Sequence, residues 1–195
     1  MPALRIDIRW HGRGGQGAVT ASEIVAAAAI LEGRYALAFP EFGAERRGAP
    51  VRAYTRISDT PLVPRTPITN PHIVVVLDPS LLTRETIEGL REGGALIVNT
   101  RLSPGEVAKV VGLDREARVA VVDAVEIAME TLGVPIVNTA ILGALIRATG
   151  IVGLETTLKL VRERFKGRLG EANVEAVRRA YESTHIETIL PPQTA

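Results

Sequence analysis

Gly12, Gly14 and Gly17 fall at the spacing G-x-G-x-x-G, between a stretch that reads as a strand and one that reads as a helix. Glycines in that place let the chain turn tightly and let a ligand approach the backbone, and the free N–H groups at the helix start favour an anion. Arg13, Gly15 and Gln16 complete the loop; a fourth glycine and a glutamine depart from the bare dinucleotide fingerprint. The same glycines would equally serve a tight turn that binds nothing. A second cluster lies downstream, with Glu41, Glu45, Arg46 and Arg47 inside seven residues, punctuated by Gly43 and Gly48. Adjacent arginines can grip a phosphate or carboxylate in two-pronged fashion, whereas a charged hairpin loop carries only weak ion pairs. Glu41 follows an expected second strand, where a dinucleotide fold places its ribose-binding acid.

Other candidates are fewer. His11, His72 and His185 share no helical face or metal-ligand spacing. His11 borders the glycine loop, while His72 opens a buried strand and reads as structural. Asp78 and Asp123 end expected strands, where open α/β sheets bind ligands; each reads more simply as a cap for the next helix, as does Asn138. No Ser/His/Asp set, P-loop lysine or paired-carboxylate spacing is present. A free-standing NAD(P)-dependent oxidoreductase would therefore have only His11 or Tyr54 for proton transfer. A nucleotide-binding regulator is the other alternative.

The elements that must position these residues follow from periodicity. Leu4, Ile6, Ile8 and Trp10 alternate with charged residues, giving a strand. A helix is expected over 18–32, stopped by Gly33. Strands follow at 35–39 and 51–57, with an irregular, proline-rich connection over 61–71. A strand over 72–77, a helix over 80–91 and a strand over 95–99 come next. Ser103, Pro104 and Glu106 form a capping box. A strand over 118–122 precedes helices over 124–132, 135–150, 154–165 and 172–184. Leu154, Leu158, Val161 and Phe165 share one helix face, as do Val174, Val177 and Tyr181. The expectation is an α/β fold, three-layer α/β/α, with a mostly parallel mixed sheet, a Rossmann-like first strand-loop-helix and a helical C-terminal part. One domain would span 1–190, with a loose tail at 191–195.

Composition removes several classes. The 195 residues carry 23 basic and 22 acidic side chains, a net charge of +1, which gives no basic excess for nucleic acid. Three Phe, three Tyr and one Trp are too few for a base-stacking platform. With no cysteine there is no disulfide, thiol nucleophile, zinc–thiolate site or ordinary iron–sulfur ligation. No apolar run has the length of a signal peptide or a membrane span, so a cytoplasmic protein with no membrane partner is expected. A mean hydropathy of +0.17 suits a subunit with buried interfaces.

Gly12–Gly17, then Pro40-Glu41-Phe42-Gly43-Ala44-Glu45-Arg46-Arg47-Gly48-Ala49-Pro50, then 51–57, Asp78-Pro79 and Asn138-Thr139-Ala140-Ile141-Leu142-Gly143-Ala144 form an ordered set. The set resembles the gamma subunit of the 2-oxoacid:ferredoxin oxidoreductases, with the wording over 42–50 favouring the pyruvate enzyme, and covers about residues 4–185. The resemblance implies a multi-subunit enzyme that decarboxylates pyruvate oxidatively with coenzyme A, giving acetyl-CoA, CO2 and reduced ferredoxin. Thiamine diphosphate, Mg2+ and iron–sulfur clusters would belong to the alpha, beta and delta-type subunits, and this chain would hold none of them. Gly12–Gly17, Glu41 and Glu45–Arg47 would then help form the coenzyme A site or grip a partner subunit. An isolated chain would be able to pair with itself.

Overall fold

A computed structural model describes residues 4–41, 48–61 and 65–191. Its centre is a seven-stranded sheet of order β2-β3-β1-β4-β5-β6-β7. The strands are β1 (Arg5–Arg13), β2 (Tyr35–Pro40), β3 (Pro50–Ser58), β4 (Ile73–Val76), β5 (Gly94–Asn99), β6 (Ala117–Val122) and β7 (His185–Ile189). β1, β4, β5 and β6 run parallel, and β3 pairs antiparallel to both β1 and β2. The mixed α/β sheet expected from the sequence is present. The strand β7, antiparallel to β6, was not expected. It is five residues long and mostly exposed at the sheet edge, so its sequence carries little burial pattern.

The pleat sorts the aliphatic side chains onto two faces. Ile8, Trp10, Val75, Ile97 and Ala120 face one side, under helices α1 (Ala18–Leu31), α3 (Ala124–Leu132), α4 (Ala140–Thr149), α5 (Leu154–Phe165) and α6 (Gly167–Ser183). Val74, Val76, Leu96, Val98, Val119 and Val121 face the other, under α2 (Pro104–Val111) and two short 3-10 turns. Strands buried on both faces read as continuous apolar runs, which is why 73–76 and 95–98 lack alternation. The alanine-rich α1 is itself buried on several sides. A chain of hydrogen bonds fixes it to the sheet: Trp10 Nε1 donates to Thr55 Oγ1 at 3.0 Å, and Thr55 Oγ1 donates to the Ser22 carbonyl at 3.1 Å.

Three expected helices differ; α6 begins at Gly167 rather than at 172. Residues 80–91 form 3-10 turns at Pro79–Leu81 and Arg84–Ile87, not one α-helix. The buried Arg9 guanidinium donates to the carbonyls of Thr86 and Glu88 in this segment and to that of Ile68. The helix expected from 135 begins only at Ala140, because 133–136 is an exposed turn in which Ile136 N–H donates to the Val134 carbonyl. α4 then crosses α6 closely. A Cβ on Gly143 would lie 2.2 Å from the Val177 carbonyl oxygen and 2.7 Å from the Tyr181 nitrogen. The capping box at Ser103 and Glu106 and the Asp123 cap of α3 form as expected.

Candidate functional site

β1 does not stop where its alternation stops. Its ladder with β3 continues through Gly12 opposite Val51 and Arg13 opposite Pro50. Beyond it, Gly14 N–H donates to the Ala49 carbonyl at 2.9 Å and Gly48 N–H donates to the Gly14 carbonyl at 3.1 Å. The glycine loop and the end of the charged loop are thus one hydrogen-bonded surface. Residues 34 and 35 apart in sequence are brought together by the antiparallel pairing of β1 with β3. Glu45, Arg46 and Arg47 lie outside the described residues, as does Phe42.

The loop is laced to the ends of the parallel strands, where open α/β sheets present ligand sites. Gln16 Oε1 accepts from the Arg13 backbone N–H at 2.7 Å, and Gln16 Nε2 donates to Asp78 Oδ2 at 2.7 Å. Asp78 Oδ1 accepts from the Ser80 backbone and hydroxyl. Arg13 reaches the Ser80 hydroxyl and the Gly48 carbonyl, and lies 3.5 Å from Asp78. Burial alone raises the Asp78 carboxyl pKa, but the bonds from Ser80 and Gln16 and the Arg13 charge more than offset this and hold it below the usual carboxylate range. Asp78 therefore caps the 3-10 turn, as expected, and also anchors Gln16. Gly15 and Gly17 have φ of +92° and +82°, left-handed values that favour glycine. Gly17 leads into α1, whose first turn has neither an acidic residue nor a side-chain cap.

Asn138 is not the helix cap expected of it, since Thr139 holds that place. Its carboxamide packs on Gly17 instead, because the close α4–α6 crossing sets the chain just before α4 against the loop. No local pattern in the sequence signals that contact.

The remaining candidates form bonds within the fold. Glu41 accepts from the Tyr54 hydroxyl at 3.1 Å and pairs with Arg52 at 3.7 Å. β3 separates β2 from β1, so Glu41 stands two strands from the glycine loop, unlike the adjacent acid of a dinucleotide fold. His11 is buried and accepts from Arg9 Nε at 3.0 Å. Burial, with the charges of Arg9 and Arg52, pushes its pKa down to about 3. Burial and the Glu41 charge push the Tyr54 hydroxyl up. Neither is poised for proton transfer near neutrality. His72 Nδ1 accepts from the Asp7 N–H, the structural role expected of it. Among the described residues no cluster of three or more His, Cys, Asp or Glu could hold a metal ion, and no helix is long and apolar enough to cross a membrane.

The fold is an α/β mixed sheet with a glycine loop braced by Gln16 and Asp78 at the carboxyl ends of its parallel strands. The profile of the pyruvate ferredoxin/flavodoxin oxidoreductase family matches residues 7–183, and the chain belongs to that family. It is 54% identical over 180 residues to the pyruvate/ketoisovalerate oxidoreductases common subunit gamma of Thermococcus litoralis, covering 92% of this chain and 97% of that one. Pyruvate synthase subunit PorC of Methanothermobacter thermautotrophicus is 48% identical over 180 residues, covering 91% and 94%. The crystal structure of the Thermotoga maritima pyruvate oxidoreductase subunit PORC superposes with a TM-score of 0.84 at 44% identity, covering 93% and 98%.

Proposed function

We infer that this chain is the gamma subunit of a multi-subunit 2-oxoacid:ferredoxin oxidoreductase acting on pyruvate, with coenzyme A as acyl acceptor and ferredoxin as electron acceptor. The observation that carries this is the near-complete span of the likeness to gamma subunits. One relative is named as common to pyruvate and ketoisovalerate enzymes, which suits a chain that leaves the choice of 2-oxoacid to its partners. When bound in the holoenzyme, thiamine diphosphate with Mg2+ supplies the decarboxylation chemistry and iron–sulfur clusters carry the electrons onward. A chain without cysteine has no thiolate for such clusters, so they fit alpha, beta and delta-type subunits.

This chain's own contribution is a surface. The N–H groups of the glycine loop and the start of α1 favour a phosphate of coenzyme A, with Arg13 and Gln16 fixing the loop. Glu41, Glu45, Arg46 and Arg47 would close the coenzyme A channel or hold a partner subunit. Anaerobic pull-down of the tagged chain from its own cells, followed by pyruvate- and coenzyme A-dependent viologen reduction, tests the assignment. Co-purifying subunits with that activity support it; a chain that emerges alone and without it overturns it. Arg46→Ala in the assembled enzyme should raise the KM for coenzyme A or weaken assembly.

A further inference from the structure

The amino ends of the parallel strands, at the opposite end of the sheet from the glycine loop, carry a cavity of about 440 Å³. Ile6 lines it, and Gly12 lies six strand residues further on, about 20 Å away at 3.3 Å per residue. The inner lining is apolar, with Ile6 of β1, Ile73 of β4, Ala95 of β5 and Ile151 just past α4. The outer lining is polar and more exposed, with His72, Arg91, Glu92 and Arg118.

The polar groups are held in place yet keep donors to spare. Arg118 Nη1 donates to the Ala148 carbonyl at 2.7 Å, and Arg91 Nε donates to the Asn70 carbonyl at 3.0 Å. Neither guanidinium forms an ion pair among the described residues. His72 Nδ1 accepts from the Asp7 N–H at 3.1 Å, so the ring hydrogen sits on Nε2. Burial and the Arg91 charge lower the His72 pKa, which keeps the ring neutral at pH 7. Glu92 Oε1 accepts from the Glu116 N–H at 3.0 Å.

We propose that this cavity binds a small organic monocarboxylate, its carboxylate held by Arg91, Arg118 and the His72 N–H, its short aliphatic body against Ile6, Ile73, Ala95 and Ile151. Guanidinium groups match a carboxylate through paired N–H donors. Two arginines against Glu92 leave one net positive charge, which a monoanion neutralises; a polyanion would exceed it and face Glu92. The apolar inner lining gains nothing from inorganic phosphate and rewards an aliphatic body. The site is separate from the glycine loop and does not depend on what that loop binds.

The test is calorimetric titration of the assembled enzyme with butanoate. One site per copy of this chain is expected, with a Kd on the order of 1 mM. Arg91→Gln and Arg118→Gln should each weaken binding about ten-fold, the loss of a charged hydrogen bond, with kcat and KM for pyruvate unchanged. Butanamide, the uncharged counterpart, should not bind. Butanoate should protect amides over 91–95 and 148–151 from hydrogen exchange in the wild type and not in the variants. Absence of saturable binding overturns the proposal. So does binding that survives both substitutions, which would place butanoate elsewhere in the enzyme, or equal binding of butanamide. Inorganic phosphate binding here more tightly than butanoate overturns the monocarboxylate assignment.

Discussion

Gln16 Nε2 donates to Asp78 Oδ2 at 2.7 Å, and through this bond a loop residue between β1 and α1 is held by the second residue beyond β4. With Gln16 Oε1 on the Arg13 N–H, one side chain sets both the turn and its distance from the neighbouring strand. The loop is therefore held by side chains as well as by its backbone bonds to 48 and 49.

Gln16→Ala should cost about 1–2 kcal/mol in urea denaturation, the loss of two partly buried hydrogen bonds. The Asp78 carboxyl, held below its ordinary value partly by Gln16, should titrate higher in this variant when followed by NMR. In the wild type the depressed carboxyl contributes stability above its unfolded value of 3.8, lost as pH falls through the lower folded value.

Gly143→Ala should be among the most damaging single-methyl additions. The new carbon would meet backbone atoms of α6 at 2.2 and 2.7 Å, which cannot move without parting the helices. A loss of about 3 kcal/mol is expected in denaturant titration. Asn138 would also shift off Gly17, so hydrogen exchange at the glycine loop should rise.

His11 imposes an acid-side slope on stability. Its pKa falls from 6.5 to about 3 on folding, so between those values the unfolded state binds the extra proton and stability declines as pH is lowered. The slope at its steepest is about 1.4 kcal/mol per pH unit. His11→Gln keeps an acceptor for Arg9 and should flatten that slope in denaturation measured from pH 7 to pH 4. The kcat profile over that range should gain or lose no limb assignable to this residue.

Arg9→Met should leave the carbonyls of Ile68, Thr86 and Glu88 without their donor. A loss of about 3 kcal/mol follows from unpairing buried acceptors. Hydrogen exchange should rise over 79–88, and Arg9→Lys should not restore it, because an ammonium lacks the flat fork that spans the three oxygens.

The sequence by itself determined what depends on near neighbours. Alternation in 4–10, the apolar runs at 73–76 and 95–98, the alanine stretch from Ala18 and the capping box at Ser103 each became the expected element, because pleat, helical period and caps act within a few residues. The ordered motifs also sufficed to place the chain in its family, since they are spread along nearly its whole length. The tertiary structure alone decided what depends on residues far apart in the chain. Where a helix was expected at 80–91, short turns stand instead, tied to the sheet by the Arg9 guanidinium across 77 and 79 residues. Insertion of β3 between β1 and β2 took Glu41 away from the glycine loop and brought Gly48 and Ala49 to it instead. Close packing of α4 on α6 through Gly143 laid Asn138 on Gly17. Contacts of this kind are fixed by strand order and helix crossing, which no local spacing encodes.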